Sequence, residues 1–231
     1  MSRDAELAAR LTAVGSRLRA ACAGAGRDRR EVTLVAVGKT WPAADLRRLA
    51  ALGVRDFAEN RDQEARPKVA QLADLSLRWH FVGRLQTNKC RSVAAYAEVV
   101  HSVDRPALVA ALGAAARWRA RSVTALVQVS LDGDPTRGGA LPADVPALAD
   151  AVAEEEGLLL GGLMAVSPPD AEPASAFFRL ADLAGQVRRL HPEATMLSAG
   201  MSGDLEAAVA AGATHVRVGT ALFGGRGPVL R

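Results

Sequence analysis

Cysteine is nearly missing from the chain. The two that occur, Cys22 and Cys90, stand far apart in apparent helices, with no CxxC spacing and no neighbouring histidine. A disulfide framework or a metal site of the usual ligand spacing is therefore not expected. Aromatic residues are also few, three Trp, one Tyr and five Phe in 231 residues. Nucleic-acid binding, which calls for a basic stripe interleaved with stacking rings, is not expected either. The 29 Lys and Arg stand against 25 Asp and Glu. That small excess is mostly arginine scattered along amphipathic segments, as at Arg47, Arg48, Arg188 and Arg189, and reads as solvated surface. No apolar run is long enough to span a bilayer, and residues 2–30 lack the uninterrupted apolar stretch of a secretion signal. The expectation is a soluble cytoplasmic protein with no nucleic-acid or membrane partner. No GxGxxG follows the first apolar run, which removes the dinucleotide fingerprint.

What is present points to one compact α/β domain spanning residues 1–231. Hydrophobic residues make up 49% of the chain and charged residues 23%, the balance of a globular protein of a size typical for an α/β barrel. Leu7, Leu11, Val14 and Leu18 recur at helical spacing, and Ala23-Gly24-Ala25-Gly26 closes that pattern, so a leading helix is predicted over 1–26. Eight short apolar runs follow, at 33–37, 56–58, 79–82, 99–102, 125–129, 160–165, 195–198 and 215–218, each leading into a turn and a helical pattern. Eight parallel strands close a barrel, so a single (β/α)8 TIM barrel is predicted over 31–224. A doubly wound open sheet would produce the same alternation. The even strand spacing and the missing fingerprint favour the barrel. Asp132-Gly133-Asp134-Pro135 and Gly138-Gly139 mark the longest connection, 131–142, as an exposed loop.

Functional groups in such barrels lie at the C-terminal strand ends. The first strand ends in Gly38-Lys39-Thr40, so Lys39 emerges there. Two readings stand side by side: a solvated loop lysine, or an amine in a partly dry pocket whose lowered pKa lets it attack a carbonyl. After strand seven comes Ser198-Ala199-Gly200-Met201-Ser202-Gly203, in which Ser202 is placed to cap the next helix; after strand eight comes Gly219-Thr220. Capping alone accounts for either turn. Both together fall where such barrels most often bind phosphate, with N–H groups facing outward. The alternation Val216-Arg217-Val218 leaves Arg217 either lining the barrel or facing a helix. A lysine on one side of the mouth and an anion cradle on the other imply a phosphorylated carbonyl compound.

The ordered run of motifs is specific: Ala36-Val37-Gly38-Lys39-Thr40, Phe57-Ala58-Glu59-Asn60, Trp79-His80-Phe81-Val82-Gly83, His101-Ser102-Val103-Asp104, Gly162-Leu163-Met164-Ala165, Leu197-Ser198-Ala199-Gly200-Met201-Ser202 and Val216-Arg217-Val218-Gly219-Thr220. Over nearly its whole length the chain resembles the pyridoxal phosphate homeostasis proteins, single-domain relatives of the alanine-racemase barrel. The resemblance implies a Schiff base between Lys39 and pyridoxal 5′-phosphate, with Ser202, Arg217, Gly219 and Thr220 on the phosphate. It implies Asn60 near the ring and its hydroxyl, and His80 and Met201 lining the pocket, although His80 reads equally as a satisfied core histidine. The chain departs from the family in having Gly38 where serine is common and Arg137 where lysine is frequent.

The racemases that share this barrel add a C-terminal β domain whose tyrosine is a second acid/base. Here Gly224-Gly225-Arg226-Gly227-Pro228 offers no further strand, and the single tyrosine, Tyr96, falls in a predicted helix. The resemblance therefore implies a monomeric carrier with no catalytic residue, which holds the cofactor and passes it to apo-enzymes that use it. The competing expectations are a racemase with an unrecognised second base, and an aldolase-like barrel in which Lys39 attacks a sugar phosphate directly.

Overall fold

The structure, a computed structural model, describes residues 2–134 and 136–225. Pro135 of the long loop, and Arg226, Gly227 and Pro228 of the expected strand-free tail, lie outside the described residues.

The strands are β1 (Thr33–Val37), β2 (Asp56–Glu59), β3 (Arg78–Phe81), β4 (Val99–Val103), β5 (Val123–Gln128), β6 (Leu158–Met164), β7 (Met196–Ser198) and β8 (His215–Val218). They form a closed parallel barrel in sequence order, sealed by β1 pairing with β8. All eight predicted runs are strands, and their ends move by at most two residues. The helices are α1 (Arg3–Gly24), α2 (Ala43–Ala51), α3 (Asp62–Gln71), α4 (Cys90–Val93), α5 (Pro106–Trp118), α6 (Val145–Glu154), α7 (Pro173–Leu190), α8 (Leu205–Ala210) and α9 (Thr220–Phe223). Among the described residues no helix is long and apolar enough to cross a membrane.

Strand alternation sends side chains to two different places. Ala36, Phe57, Trp79, Phe81 and Val100 join the main apolar core with helix residues such as Leu46, Leu49, Ala65, Leu108 and Leu112. Val35, Val37 and Ala58 form one small interior cluster, and Val99, Leu126 and Met164 another.

α9 is a single turn, and the leading helix covers the surface it leaves. α1 buries Leu7, Val14, Leu18 and Cys22 and packs on α2, α8 and α9 across the β8–β1 seam. Leu11, expected in that stripe, is only partly buried. Arg3 ties this helix to the mouth: it donates to Asp45 and to the carbonyl of Phe223 (3.0 Å), and lies 4.8 Å over Trp41, which stacks on Phe223.

Candidate ligand site at the barrel mouth

β1 passes through buried Gly38 to an exposed Lys39. That strand end is pinned from α3. Lys68 Nζ donates to the Gly38 carbonyl and to Glu59 Oε1, each at 2.7 Å. Burial pushes the Glu59 carboxyl up to about 7, against the opposing pull of Lys68. A side chain at position 38 would bring its Cβ to 2.9 Å from Glu59 Oε1 and about as close to Leu46, so the serine common in the family would require the ends of those two side chains to shift. Thr40 has φ 67°, a left-handed conformation costly for a β-branched residue, and its N–H donates to Glu64 Oε2 at 2.9 Å. Lys39 therefore sits on a rigid, partly strained support while its own side chain faces solvent. Lys68 and Glu59 went unassigned in the sequence: Lys68 looks like any charged residue of α3, and only the outward alternation of β2 hints at Glu59.

Gly219 and Thr220, after the neighbouring strand β8, line the same small cleft as Lys39, with Val37, Thr40, Trp41 and Gly224. Ser202 does not cap α8 as expected. Asp204 precedes that helix, while Ser202 Oγ accepts from the Ala221 N–H (3.1 Å) and so ties the loop after β7 to the turn after β8. The reason is the path of the loop: Gly200 has φ 86° and no space for a Cβ beside Ala208, and Arg17 of α1 holds the Ser202 carbonyl at 2.9 Å. Asn60 is half-buried at the end of β2, and Met201 is exposed at the rim. Neither lines the cleft.

His80 and Arg217 lie below, in the barrel interior. His80 is fully buried and bonded on both ring nitrogens, to His101 Nε2 (2.8 Å) and Asp56 Oδ1 (3.0 Å), so it is a satisfied interior histidine rather than a wall of the cleft. His101 Nδ1 lies 2.9 Å from Ser198 Oγ. Arg217 donates to that same oxygen (2.6 Å) and to the Ala165 carbonyl (2.9 Å), which settles it as barrel-lining. None of its hydrogen bonds goes to the loops carrying Ser202 and Thr220. Among the described residues no carboxylate lies within ion-pair distance of this buried guanidinium, and burial lowers its pKa to about 10. The same desolvation keeps His101 neutral and pulls His215 down to about 4.

A closed eight-stranded parallel barrel, with an exposed lysine after β1 in one cleft with the glycine-containing turn after β8, defines a (β/α)8 barrel with a ligand site at the C-terminal strand ends. Residues 11–227 match the family described as alanine racemase, N-terminal domain. A pyridoxal phosphate homeostasis protein of Pseudomonas aeruginosa is 45% identical over 220 residues, 95% of this chain and 96% of that protein. PipY of Synechococcus elongatus, solved with PLP bound, superposes with a TM-score of 0.84 at 37% identity, over 94% of this chain and all of that one. The alanine racemase of Corynebacterium glutamicum, at 18% identity and TM-score 0.67, covers 96% of this chain and 64% of its own, and shares the fold. The chain belongs to the alanine racemase N-terminal domain family and, within it, to the pyridoxal phosphate homeostasis proteins.

Proposed function

We propose that this chain binds pyridoxal 5′-phosphate covalently through Lys39 and serves cytoplasmic pyridoxal phosphate homeostasis as a monomeric carrier, passing the cofactor to apo-enzymes. The carrying observation is the exposed amine of Lys39, on a strand end held by Lys68 and Glu59, in one cleft with Gly219 and Thr220. These residues fit the ligand's chemistry: a free amine for its aldehyde, and hydroxyls and backbone N–H groups for its phosphate.

Lys39 Nζ supplies the nucleophile. Gly219 and Thr220, with Ser202 bonded to the turn that follows them, would hold the phosphate end, and Asn60 and Met201, which lie outside the cleft, would meet the ring only at its margin. Arg217 serves the floor of the mouth rather than the phosphate loops, since its guanidinium is turned to β6 and β7. His80 acts only through His101. When bound, the cofactor supplies an electrophilic carbon that an incoming amine can take over from Lys39.

Turnover as a racemase needs acid/base groups on both faces of the ligand. Among the residues lining the cleft, Lys39 alone has a titratable side chain, and the nearby carboxylate of Glu64 is engaged by the Thr40 N–H. Tyr96 is buried away from the cleft, and burial raises its hydroxyl further out of range. Borohydride reduction of the loaded protein followed by peptide mapping tests the reading: label is expected on Lys39, and label on another lysine overturns it. Incubation with common amino acids should leave their chirality unchanged. Efficient racemisation would replace the carrier with an enzyme, and the absence of a visible band after adding cofactor would favour the aldolase-like barrel.

A further inference from the structure

The polar chain inside the barrel has a direction. A guanidinium only donates and a carboxylate only accepts. The bond from Arg217 Nη1 to Ser198 Oγ and the bond that Asp56 Oδ1 accepts from His80 Nε2 therefore define its two ends. With Nε2 of His80 donating, its Nδ1 accepts from His101 Nε2, and His101 Nδ1 in turn accepts the Ser198 hydroxyl proton. With one proton on each ring, every donor points from the mouth toward the opposite face, where Asp56 opens β2, and both imidazoles are Nε2–H tautomers.

The surroundings agree with this order. At the lower end, Asp56 Oδ1 lies 3.3 Å from Arg78 Nη1, and Arg78 Nε is 3.9 Å from Glu98. Burial works against the Asp56 carboxylate, yet the bond from His80 and the charge of Arg78 bring its pKa below the ordinary value. The His215 ring stands 6.3 Å from that of His80, and Thr214 Oγ1 sits 2.8 Å from its Nδ1. At the upper end, Asp204 is the acid whose field reaches Arg217. Among the described residues Arg217 thus has only distant carboxylates to balance it, and two of its five N–H donors are engaged.

We propose that Ser198, His101, His80 and Asp56 are positioning residues that hold Arg217 as an oriented, charged donor on the floor of the mouth and link it to the negative charge of Asp56 at the far face. The ligand's identity rests on the Lys39 reading; the direction of the chain does not. A proton added to either ring would make His101 Nδ1 a donor to Ser198 Oγ, so that this oxygen would accept from both His101 and Arg217, the chain would lose its single direction, and a second positive charge would stand near the guanidinium.

Nitrogen-15 NMR of the histidine side chains in ligand-free protein reads the direction. Neutral Nε2–H tautomers are expected at both His80 and His101 near neutral pH. A charged His101, or an Nδ1–H tautomer at either ring, overturns the proposal. Asp56→Asn keeps the shape and an acceptor while removing the charge. Mixed tautomers are expected in that variant, with pyridoxal phosphate binding weakened about tenfold, the scale of one charge-assisted hydrogen bond. The visible band of the bound ligand should shift, while borohydride still labels Lys39. Ser198→Ala cuts the chain next to Arg217 and should weaken binding in the same way. Unchanged affinity and an unchanged band in both variants overturn the positioning role. If the wild-type protein failed to label at all, the Lys39 reading would fall, and the tautomers, measured without ligand, would still decide this one.

Discussion

The layer between strands and helices and the interior of the barrel are built on different principles. The outer layer is one continuous apolar cluster running from Leu7 of α1 through Phe57, Leu112 and Phe177 to Phe223, with a few buried charges such as Asp45 and the Glu59–Lys68 pair. The interior holds two small apolar clusters, and between them a run of five hydrogen-bonded polar side chains. Apolar packing is non-directional and tolerates exchange of similar shapes, whereas a buried polar run is stable only when each member keeps its partner. The outer layer therefore carries most of the stability, and the interior and its rim hold the groups in the geometry that a ligand meets.

The sharpest separation of the two regions is at Lys39. Lys39→Ala should abolish borohydride-fixed cofactor, read by intact mass, while thermal melting of the ligand-free protein stays put, because the side chain is exposed. The converse is Phe57→Ala in the outer layer. Phe57 is fully buried, and its truncation should cost about 3–5 kcal/mol in denaturant unfolding while the folded fraction still loads at Lys39.

Glu59 lies on the border between the two regions. Its carboxyl is raised from 4.5 to about 7, so the native state keeps a proton that the unfolded chain releases in that interval. With more protons bound in the native state, this group's contribution to stability is complete below about 4.5 and falls as the pH rises to about 7. Unfolding free energies measured across that range should slope downward in the wild type and flatten in Glu59→Gln. An equal slope in both would remove Glu59 from the account. The smallest effect belongs to the surface: Arg47→Ala breaks a largely exposed pair with Asp74 and should change stability by less than about 0.5 kcal/mol, with loading untouched.

The closed barrel was legible because its strands are short apolar runs buried on both sides, a local pattern that survives whatever they pair with. The ends moved where pairing with a neighbour continues the ladder, as at Val123 and Thr124 of β5, which pair with Leu158 and Leu159. The emergence of Lys39 from β1 was equally readable, since the residue after a buried strand in this fold has nowhere to go but the mouth. Ser202 shows the limit. Its sequence context suits a cap on α8, but its hydroxyl is drawn to the Ala221 N–H by a loop path that Gly200 and Arg17 decide from elsewhere in the chain.

By itself the sequence determined the elements, their order, the barrel and the lysine at its rim, because each follows from residues adjacent along the chain. The tertiary structure alone decided that His80 is a satisfied interior group, that Arg217 turns into the barrel, and that Asp56, His101 and Ser198 join them. Those partners are separated by 24, 21, 97 and 19 residues. Alternation within a strand reveals which residues share a face, but which faces meet across the interior depends on the stagger at which the eight strands close.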